Sequence, residues 1–404
     1  MSLSSTIKIP DVSDSTIRVR AHQLNAARFK GFHDTVEHRW DYSDFLREEN
    51  SSWLKHWTSF DCLLADEERN VVWCGITNFA TDIFYVFDRE TEHFESLDYP
   101  SVGDRYDAKF HRSLEFDGAG NIWAATALLH DVDRYLDAPG GALIRFNPDT
   151  RDIQIVDRPK PHVYIQSMTI DRERGLLYGQ MFTPEYVFVY DLETFKFQEL
   201  GVVGSGFAMG QSQTLAIDRT GTVWGTWSLT RAWLNTSGSD QFRLWNYHPD
   251  HGRIRFLDHG LPTLSGRDGF AHADGVHAGP DGAIYMGTAE GLLCRIDPDD
   301  HAIAVIGKPG PHRRLAAMAN GPDGMLYGSA GQDGTANLFR YDPARDSLEE
   351  LGMIYDPVLH ERAFQLHDMV ITSDGTIYAG ENDVPYRSGY LWEIICTNGH
   401  AADK

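Results

Sequence analysis

The sequence predicts an all-β chain, a seven-bladed β-propeller closed by an N-terminal strand. Three observations predict it. First, a strand runs into one kind of turn again and again: Phe87-Asp88-Arg89-Glu90-Thr91, Phe146-Asn147-Pro148-Asp149-Thr150, Tyr190-Asp191-Leu192-Glu193-Thr194, Tyr247-His248-Pro249-Asp250, Ile296-Asp297-Pro298-Asp299 and Tyr341-Asp342-Pro343. A seventh such strand, Leu391-Trp392-Glu393-Ile394, runs out near the C-terminus. A repeat of about 40 to 55 residues marks one supersecondary unit used many times. Second, each unit also carries an earlier Asp/Gly turn followed by an aromatic-rich strand. Third, helix-type periodicity is almost missing, and four short strands per unit is the pattern of a propeller blade.

Taken in order, residues 1–58 hold no blade of their own. Thr16-Ile17-Arg18-Val19-Arg20 reads as the closing strand, because the last unit has only three strands before the chain ends. Pairing it beside Leu391–Ile395 would remove the exposed edges that invite aggregation. Residues 41 to 57, with Asp44-Phe45-Leu46 and Trp53-Leu54, read as a short helix packed across one face. The propeller is expected to span 59–396, with 397–404 as a tail. Blade one carries Val71-Val72-Trp73. The following blades carry Asp117-Gly118-Ala119-Gly120 before Asn121-Ile122-Trp123, Asp171 before Leu177-Tyr178, and Asp218-Arg219-Thr220-Gly221 before Val223-Trp224. The last three carry Gly279-Pro280-Asp281-Gly282 before Ile284-Tyr285, Gly321-Pro322-Asp323-Gly324 before Leu326-Tyr327, and Thr372-Ser373-Asp374-Gly375 before Ile377-Tyr378. Glycine supplies the positive φ of such a hairpin, and β-branched and aromatic residues suit the strand after it.

Composition narrows the partners. With 404 residues, 42% of them apolar, the chain can bury a large core as one repeat array. A formal charge of −23 argues against nucleic acid and against an anionic membrane surface, both of which need a cationic footprint. Residues 1–10 lack the apolar core of a signal peptide, and no apolar run approaches membrane-spanning length, so a soluble, cytoplasmic protein is expected. Cys62, Cys74, Cys294 and Cys396 lie scattered in strand-like text and read as buried free thiols.

The repeat can be aligned on itself. The residues opening the first turn of each blade are Asp66, Asp117, Asp171, Asp218, Gly279, Gly321 and Thr372. Three residues earlier stand Leu63, Leu114, Met168, Leu215, Val276, Met318 and Met369, an apolar column expected to pack between blades. Two residues earlier again stand Asp61, Arg112, Gln166, Gln213, Asp274, Ala316 and His367, and two before those Ser59, Phe110, Tyr164, Gln211, His272, Arg314 and Gln365. In a propeller the innermost strands surround a channel and begin at one face, so this polar ring either solvates itself or forms a site. Two features favour a site. The longest loops between second and third strands open on that face: Thr126 to Gly141 with His130, Arg134 and Tyr135, Trp227 to Gln241 with Arg231 and Trp233, and Glu381 to Ser388 with Tyr386 and Arg387. Histidines collect there as well, His111, His272 and His367 at strand starts and His277 deeper.

The ring lacks a nucleophile elbow, a phosphate loop, a dinucleotide fingerprint and zinc spacing, so no organic cofactor is expected. An Asp61/Asp274 carboxylate pair is conceivable for glycoside hydrolysis, but their blades are not adjacent. The residue types suit β-elimination on a uronic acid better. His111, Tyr164, His272 and His367 could move protons, Arg112 and Arg314 could hold the carboxylate, and Lys109, Gln166, Gln213, Trp227 and Arg231 could bind the rest of an oligosaccharide or small-molecule substrate. Neutralisation could instead come from Ca²⁺ or Mn²⁺, with Asp61, Asp274 and Gln365 as candidate ligands and Gln365-x-His367 with His272 as another set. A metal-dependent lactonase, a natural-product lyase and a non-catalytic binding propeller are the rival readings.

Several runs resemble the β-propeller polysaccharide lyases: Asp107-Ala108-Lys109-Phe110-His111, Asp117 to Trp123, Gly140-Gly141-Ala142-Leu143-Ile144-Arg145-Phe146-Asn147-Pro148, Tyr164-Ile165-Gln166-Ser167-Met168, Arg174-Gly175-Leu176-Leu177-Tyr178-Gly179 and Val187-Phe188-Val189-Tyr190-Asp191. The likeness is greatest to rhamnosyl-glucuronate lyases acting on arabinogalactan-type gums, and more distant to oligogalacturonate lyases, whose His-x-His pair is missing here. It covers roughly residues 60 to 395 and is sharpest in blades two and three. The resemblance implies a seven-bladed propeller, a proton-transfer histidine at His111, and a Ca²⁺ ion held in the channel.

Overall fold

The computed structural model describes residues 11–12, 16–29, 56–128, 136–182, 184–204, 210–228 and 242–397. Within them the ladders resolve into four-stranded antiparallel units, each a meander whose strands pair in chain order. The first unit is Ser59–Asp66, Val71–Thr77, Phe84–Asp88 and His93–Ser96. In the second, the inner strand is split into Asp107–Phe110 and Glu115–Phe116 before Ile122–Leu128, Leu143–Phe146 and Ile153–Asp157. The inner strands of the later units are Tyr164–Asp171, Ala216–Ile217, Ala273–Ala278, Leu315–Asn320 and Leu366–Ile371. Each of these touches the inner strand of the next unit, and Leu366–Ile371 packs back on Ser59–Asp66, so the ring closes on itself as a β-propeller. The closing strand is Thr16–His22, paired antiparallel with Leu391–Thr397 from Thr16↔Thr397 to His22↔Leu391. Asp11–Val12 adds in parallel to the outer strand Ser347–Met353. The helix expected over residues 41 to 57 lies almost entirely outside the described residues. No helix among those described is long and apolar enough to cross a membrane.

The repeated turns have a common chemistry. At the outer turns the Asx side chain accepts backbone N–H groups two and three residues on: Asp88 from Glu90 (2.9 Å) and Thr91 (2.7 Å), Asn147 from Asp149 (2.9 Å) and Thr150 (3.1 Å), Asp191 from Glu193 (3.0 Å) and Thr194 (2.7 Å). His248 does the same through Nδ1, at 3.2 Å from the Asp250 N–H. At the inner turns the opening aspartate also reaches the next strand. Asp66, Asp117 and Asp218 accept the indole N–H of Trp73, Trp123 and Trp224 at 3.1, 3.0 and 2.8 Å. A carboxylate that pins its own turn and a buried tryptophan explains why Asp and Trp recur together.

This linkage predicts a large local cost. Asp218 accepts from Thr220 N (2.8 Å), Thr222 N (3.1 Å) and Trp224 Nε1. Asp218→Ala leaves that buried indole donor without an acceptor and is expected to cost about 1–3 kcal/mol. Asp218→Asn, which keeps an acceptor oxygen, is expected to recover most of it, as read by thermal unfolding.

The apolar column packs between blades as expected and has a second role besides. Leu63, Leu114, Met168, Leu215, Val276, Met318 and Met369 are all buried, and all seven line one central cavity of about 170 Å³. They form the channel wall, and each also sits in a hydrophobic cluster that joins adjacent units, among neighbours such as Phe60, Trp123, Phe188 and Trp392. The same cavity is lined by Cys62, Ser113, Glu115, Thr214, His277 and Asp368. His277 is therefore a channel residue rather than a mouth residue, and burial pulls its imidazole down to about 4.

Candidate active site at the channel mouth

The polar ring sits where the inner strands are irregular. The ladders slip at Phe60/Cys62, Ile165/Ser167, Ala273/Gly275, Leu315/Met318 and Leu366/Asp368, so that Asp61, Gln166, Asp274, Ala316 and His367 occupy β-bulges. A bulge re-aims a side chain out of the ladder, and here five of the units carry one at this position of the inner strand. Two arginines add to this through left-handed backbone, Arg112 at φ 44° and Arg314 at φ 62°. Non-glycine residues adopt that region at a cost, and the surrounding hydrogen bonds hold them in it. The Arg112 carbonyl accepts from Met168 N (3.3 Å), while Arg314 N donates to Ala289 O (3.1 Å) and its carbonyl accepts from Gly331 N (3.0 Å).

His111 and His367 meet at the centre. Their Nε2 atoms lie 2.8 Å apart and both rings are buried. The surroundings decide which nitrogen carries each proton. His111 Nδ1 is 2.7 Å from the Gln166 carbonyl, an acceptor, so Nδ1 is protonated and Nε2 carries the lone pair. His367 Nδ1 faces three donors, Asn382 Nδ2 at 3.0 Å, Arg314 Nη2 at 3.2 Å and Arg112 Nη2 at 3.4 Å, so it carries the lone pair. His367 therefore donates its Nε2–H to His111 Nε2. Burial pushes both imidazoles well below their ordinary range, assisted by Lys109 and Arg112 at His111 and by Arg112 at His367. The result is two neutral imidazoles in opposite tautomers.

Charged groups surround the pair. Arg314 Nε donates to Asp274 Oδ2 at 2.9 Å, and Arg112 Nη1 to the Asp274 carbonyl at 2.9 Å. Burial raises Asp274, but Arg314 and Arg112 outweigh it and hold the carboxyl below its usual range. Burial also pulls Arg112 down to about 10, which leaves it charged at neutral pH. Asp61 accepts the Thr77 hydroxyl and lies 3.9 Å from Lys109 Nζ, yet burial still raises it to about 6. Arg112 Nε and Arg314 Nη1 are buried without a hydrogen-bond partner among the described residues. Two unspent guanidinium N–H groups beside a neutral imidazole pair are donors for an anion.

The structure thus brings together His111, His367, Arg112, Arg314, Lys109, Asp61 and Asp274, with Gln166 joined to Gln213 at 3.3 Å on the next unit. His272 stands beside Asp274, its ring edge-on to Phe242 at 4.7 Å. Tyr164 packs on Phe182 at 5.4 Å, and burial together with Glu185 keeps its phenol protonated, a donor and not a base. Trp227 is anchored within its own blade. Its indole donates to Leu244 O (3.0 Å) and Leu257 O (3.3 Å) and its ring meets Phe256, so it is spent on the outer strands of unit four. Arg387 is likewise structural, buried on Glu381 (2.6 Å) and over Tyr390 (3.9 Å). Arg231, His130, Arg134, Tyr135 and Trp233 lie outside the described residues.

The candidate metal ligands are regrouped. One ligand atom each from Asp61, His111 and His367 lies within 4.8 Å of the others, whereas Asp274 is engaged by Arg314 and Gln365 uses its carbonyl to accept Asn382 N at 3.3 Å. This set does not fit Ca²⁺, which needs six or more oxygen ligands. It also fits Mn²⁺ poorly, because the three donors on His367 Nδ1 keep its Nε2 protonated and Lys109, Arg112 and Arg314 add positive charge around the group. Asn382 and Thr77 were missed in the sequence because the alignment stopped at the inner strands. Threonine recurs near the end of second strands, at Thr77, Thr126, Thr226 and Thr288, and the same ruler carried onward would have exposed that position.

Below the mouth, Glu115 lines the channel and accepts Ile170 N at 3.0 Å, and burial raises it to about 7. A carboxyl raised in the folded state costs stability as pH climbs from its ordinary range through 7. Glu115→Gln keeps the acceptor and removes that charge. Its melting temperature relative to the parent is expected to rise by about 2 °C between pH 5 and pH 8, in differential scanning calorimetry.

No family model matches this sequence, and no curated protein matches it. Solved structures do. Virginiamycin B lyase from Staphylococcus aureus superposes with a TM-score of 0.59 at 14% identity, over 83% of this chain and 94% of that one. A catalytically inactive histidine-to-alanine variant of that lyase with quinupristin gives 0.59 at 12% identity, over 94% and 99%. The WD40 repeats of RRP9 give 0.55 at 11% identity, over 97% and 100%. At these identities the likeness establishes the propeller fold alone.

Proposed function

We propose that this protein is a carbon–oxygen lyase that cleaves a uronic-acid-containing glycoside by β-elimination at the channel mouth. The observation that carries this reading is the His111–His367 pair, one Nε2 bare and the other protonated, 2.8 Å apart. β-Elimination needs a base and an acid at once. Once the substrate displaces the His367 Nε2–H from it, His111 Nε2 takes the C5 proton, the C5–H electrons form the C4–C5 double bond, and the C4–O bond breaks. The imidazolium so formed at His111 then gives that proton to the leaving oxygen. Both rings end neutral, as they began.

The environment favours that assignment. The Gln166 carbonyl accepting from His111 Nδ1–H steadies the imidazolium that forms there, while Asn382, Arg314 and Arg112 hold His367 as an Nε2–H donor. Arg112 Nε and Arg314 Nη1 supply donors to the uronate carboxylate, which makes the C5 proton more acidic. No step here passes through a metal. The test is the ultraviolet absorbance of the unsaturated product on incubation with a panel of glucuronate- and galacturonate-containing oligosaccharides, with and without Ca²⁺ and Mn²⁺. Silence across that panel would sink the uronate reading.

A second reading, a lyase of a cyclic natural product, draws on the fold shared with virginiamycin B lyase. It uses the same base and acid on a different ester or ether, and mass spectrometry of streptogramin-type substrates separates the two.

A further inference from the structure

A second concavity opens on the same face, beside the pair. It encloses about 500 Å³ between residues 78–83, which join the second and third strands of unit one, and residues 99–108, which lead into unit two. Asn78 and Ala108 form its inner end, linked by Asn78 N to Ala108 O at 3.0 Å. Each is one residue from a group that holds Asp61, since Thr77 donates to that carboxylate and Lys109 lies 3.9 Å from it. The concavity therefore abuts the wall of the His pair, with which Asp61 is grouped.

Two buried carboxylates fix its sides. Asp82 accepts from Ile83 N (2.7 Å), Phe84 N (3.0 Å), Asp98 N (2.7 Å), Tyr99 N (3.2 Å) and Ser96 Oγ (2.6 Å), tying one wall to the other. Asp107 accepts from Tyr99 Oη (2.6 Å), Asp104 N (2.9 Å), Thr126 Oγ1 (3.0 Å) and Arg158 Nη2 (2.8 Å). A Cβ on Gly103 would stand 2.3 Å from the Tyr99 ring, so that segment lies flat on it. Phe79 lines the space, stacked at 21° on buried Trp57, and Asp104 and exposed Arg105 also line it. A wall held this firmly is preformed for a ligand.

We propose that this concavity is a subsite for a neutral hexopyranose unit, the sugar adjoining the uronate that reacts, which rests on the lyase reading for its link to chemistry. The C–H face of the ring lies on Phe79, and its hydroxyls donate to the Asp104 carboxylate and accept from the Arg105 guanidinium. One anion and one cation side by side leave no net charge for a second uronate.

The experiment uses the full chain with galactobiose as a neutral probe, followed by saturation-transfer NMR, for the parent, Phe79→Ala, Arg105→Ala and His111→Ala. Binding by the parent and by His111→Ala, with affinity about tenfold weaker in both Phe79→Ala and Arg105→Ala, is the expected result. Arg105 is exposed, so its variant stays informative if loss of Phe79 disturbs the fold. No binding by the parent, or binding insensitive to both variants, overturns the subsite. Product absorbance is read separately, so a failed subsite and a failed lyase reading are told apart.

Discussion

His111→Ala is expected to lower turnover by about 10²- to 10⁴-fold while the chain stays folded, because it removes the only bare Nε2 of the pair. His111 also satisfies the Gln166 carbonyl, so some stability is lost with it, about 1–3 kcal/mol. Circular dichroism and thermal unfolding separate that loss from the chemical one. The pH profile gives a sharper arm. A general base must be neutral, and burial and the nearby cations hold His111 well below the ordinary histidine range. Activity is therefore expected to stay level as pH falls through 6.5, and to drop only well below it. The same two imidazoles affect stability: depressed in the folded state, they leave the unfolded chain binding more protons as pH falls below 6.5, so stability declines with acid over that window.

Arg314→Met is expected to act twice. Removing the guanidinium takes a donor from the carboxylate subsite and should raise KM by about ten- to a hundredfold. It also removes positive charge from both imidazoles, so the acidic limb of the pH profile should move up toward 6.5. Asp274 would lose its partner at 2.9 Å and its carboxyl would rise. Arg314→Lys tests the distinction, since a lysine restores charge but not the fork that reaches Asp274 and His367 together. A purely structural arginine would change melting temperature without moving the pH limb.

Much of this site was legible from one sequence because the repeat is a ruler. Counting back from Asp66, Asp117, Asp171, Asp218 and their equivalents found Asp61, Arg112, Gln166, Asp274 and His367 in one ring, and the folded chain joins them into one network. Counting could not find the bulges. Period-two reasoning assumes a regular strand, yet the ladder slip at Leu315/Met318 and the left-handed backbone of Arg314 bring that residue to the ring in place of Ala316. Local backbone of that kind is set by neighbouring units, such as the Ala289 carbonyl that holds Arg314 N, and leaves no pattern in the strand itself. The anchoring of Trp227 within its blade was hidden for a related reason. An aromatic beside a loop looks like a ligand platform, but its N–H found two carbonyls inside its own blade.

The apolar column shows the limit of periodicity from the other side. A uniformly apolar position says that water is excluded, and both a blade interface and a narrow channel wall meet that condition. Closure of the ring makes the seven residues serve as both, packed between units and arranged around one cavity.

The most direct measurement is the protonation of the four imidazole nitrogens of His111 and His367 by ¹⁵N NMR at neutral pH. His111 is expected to be protonated at Nδ1 and bare at Nε2, and His367 protonated at Nε2 and bare at Nδ1, with neither ring charged. The same tautomer in both rings, or a positive charge on either, would contradict that expectation.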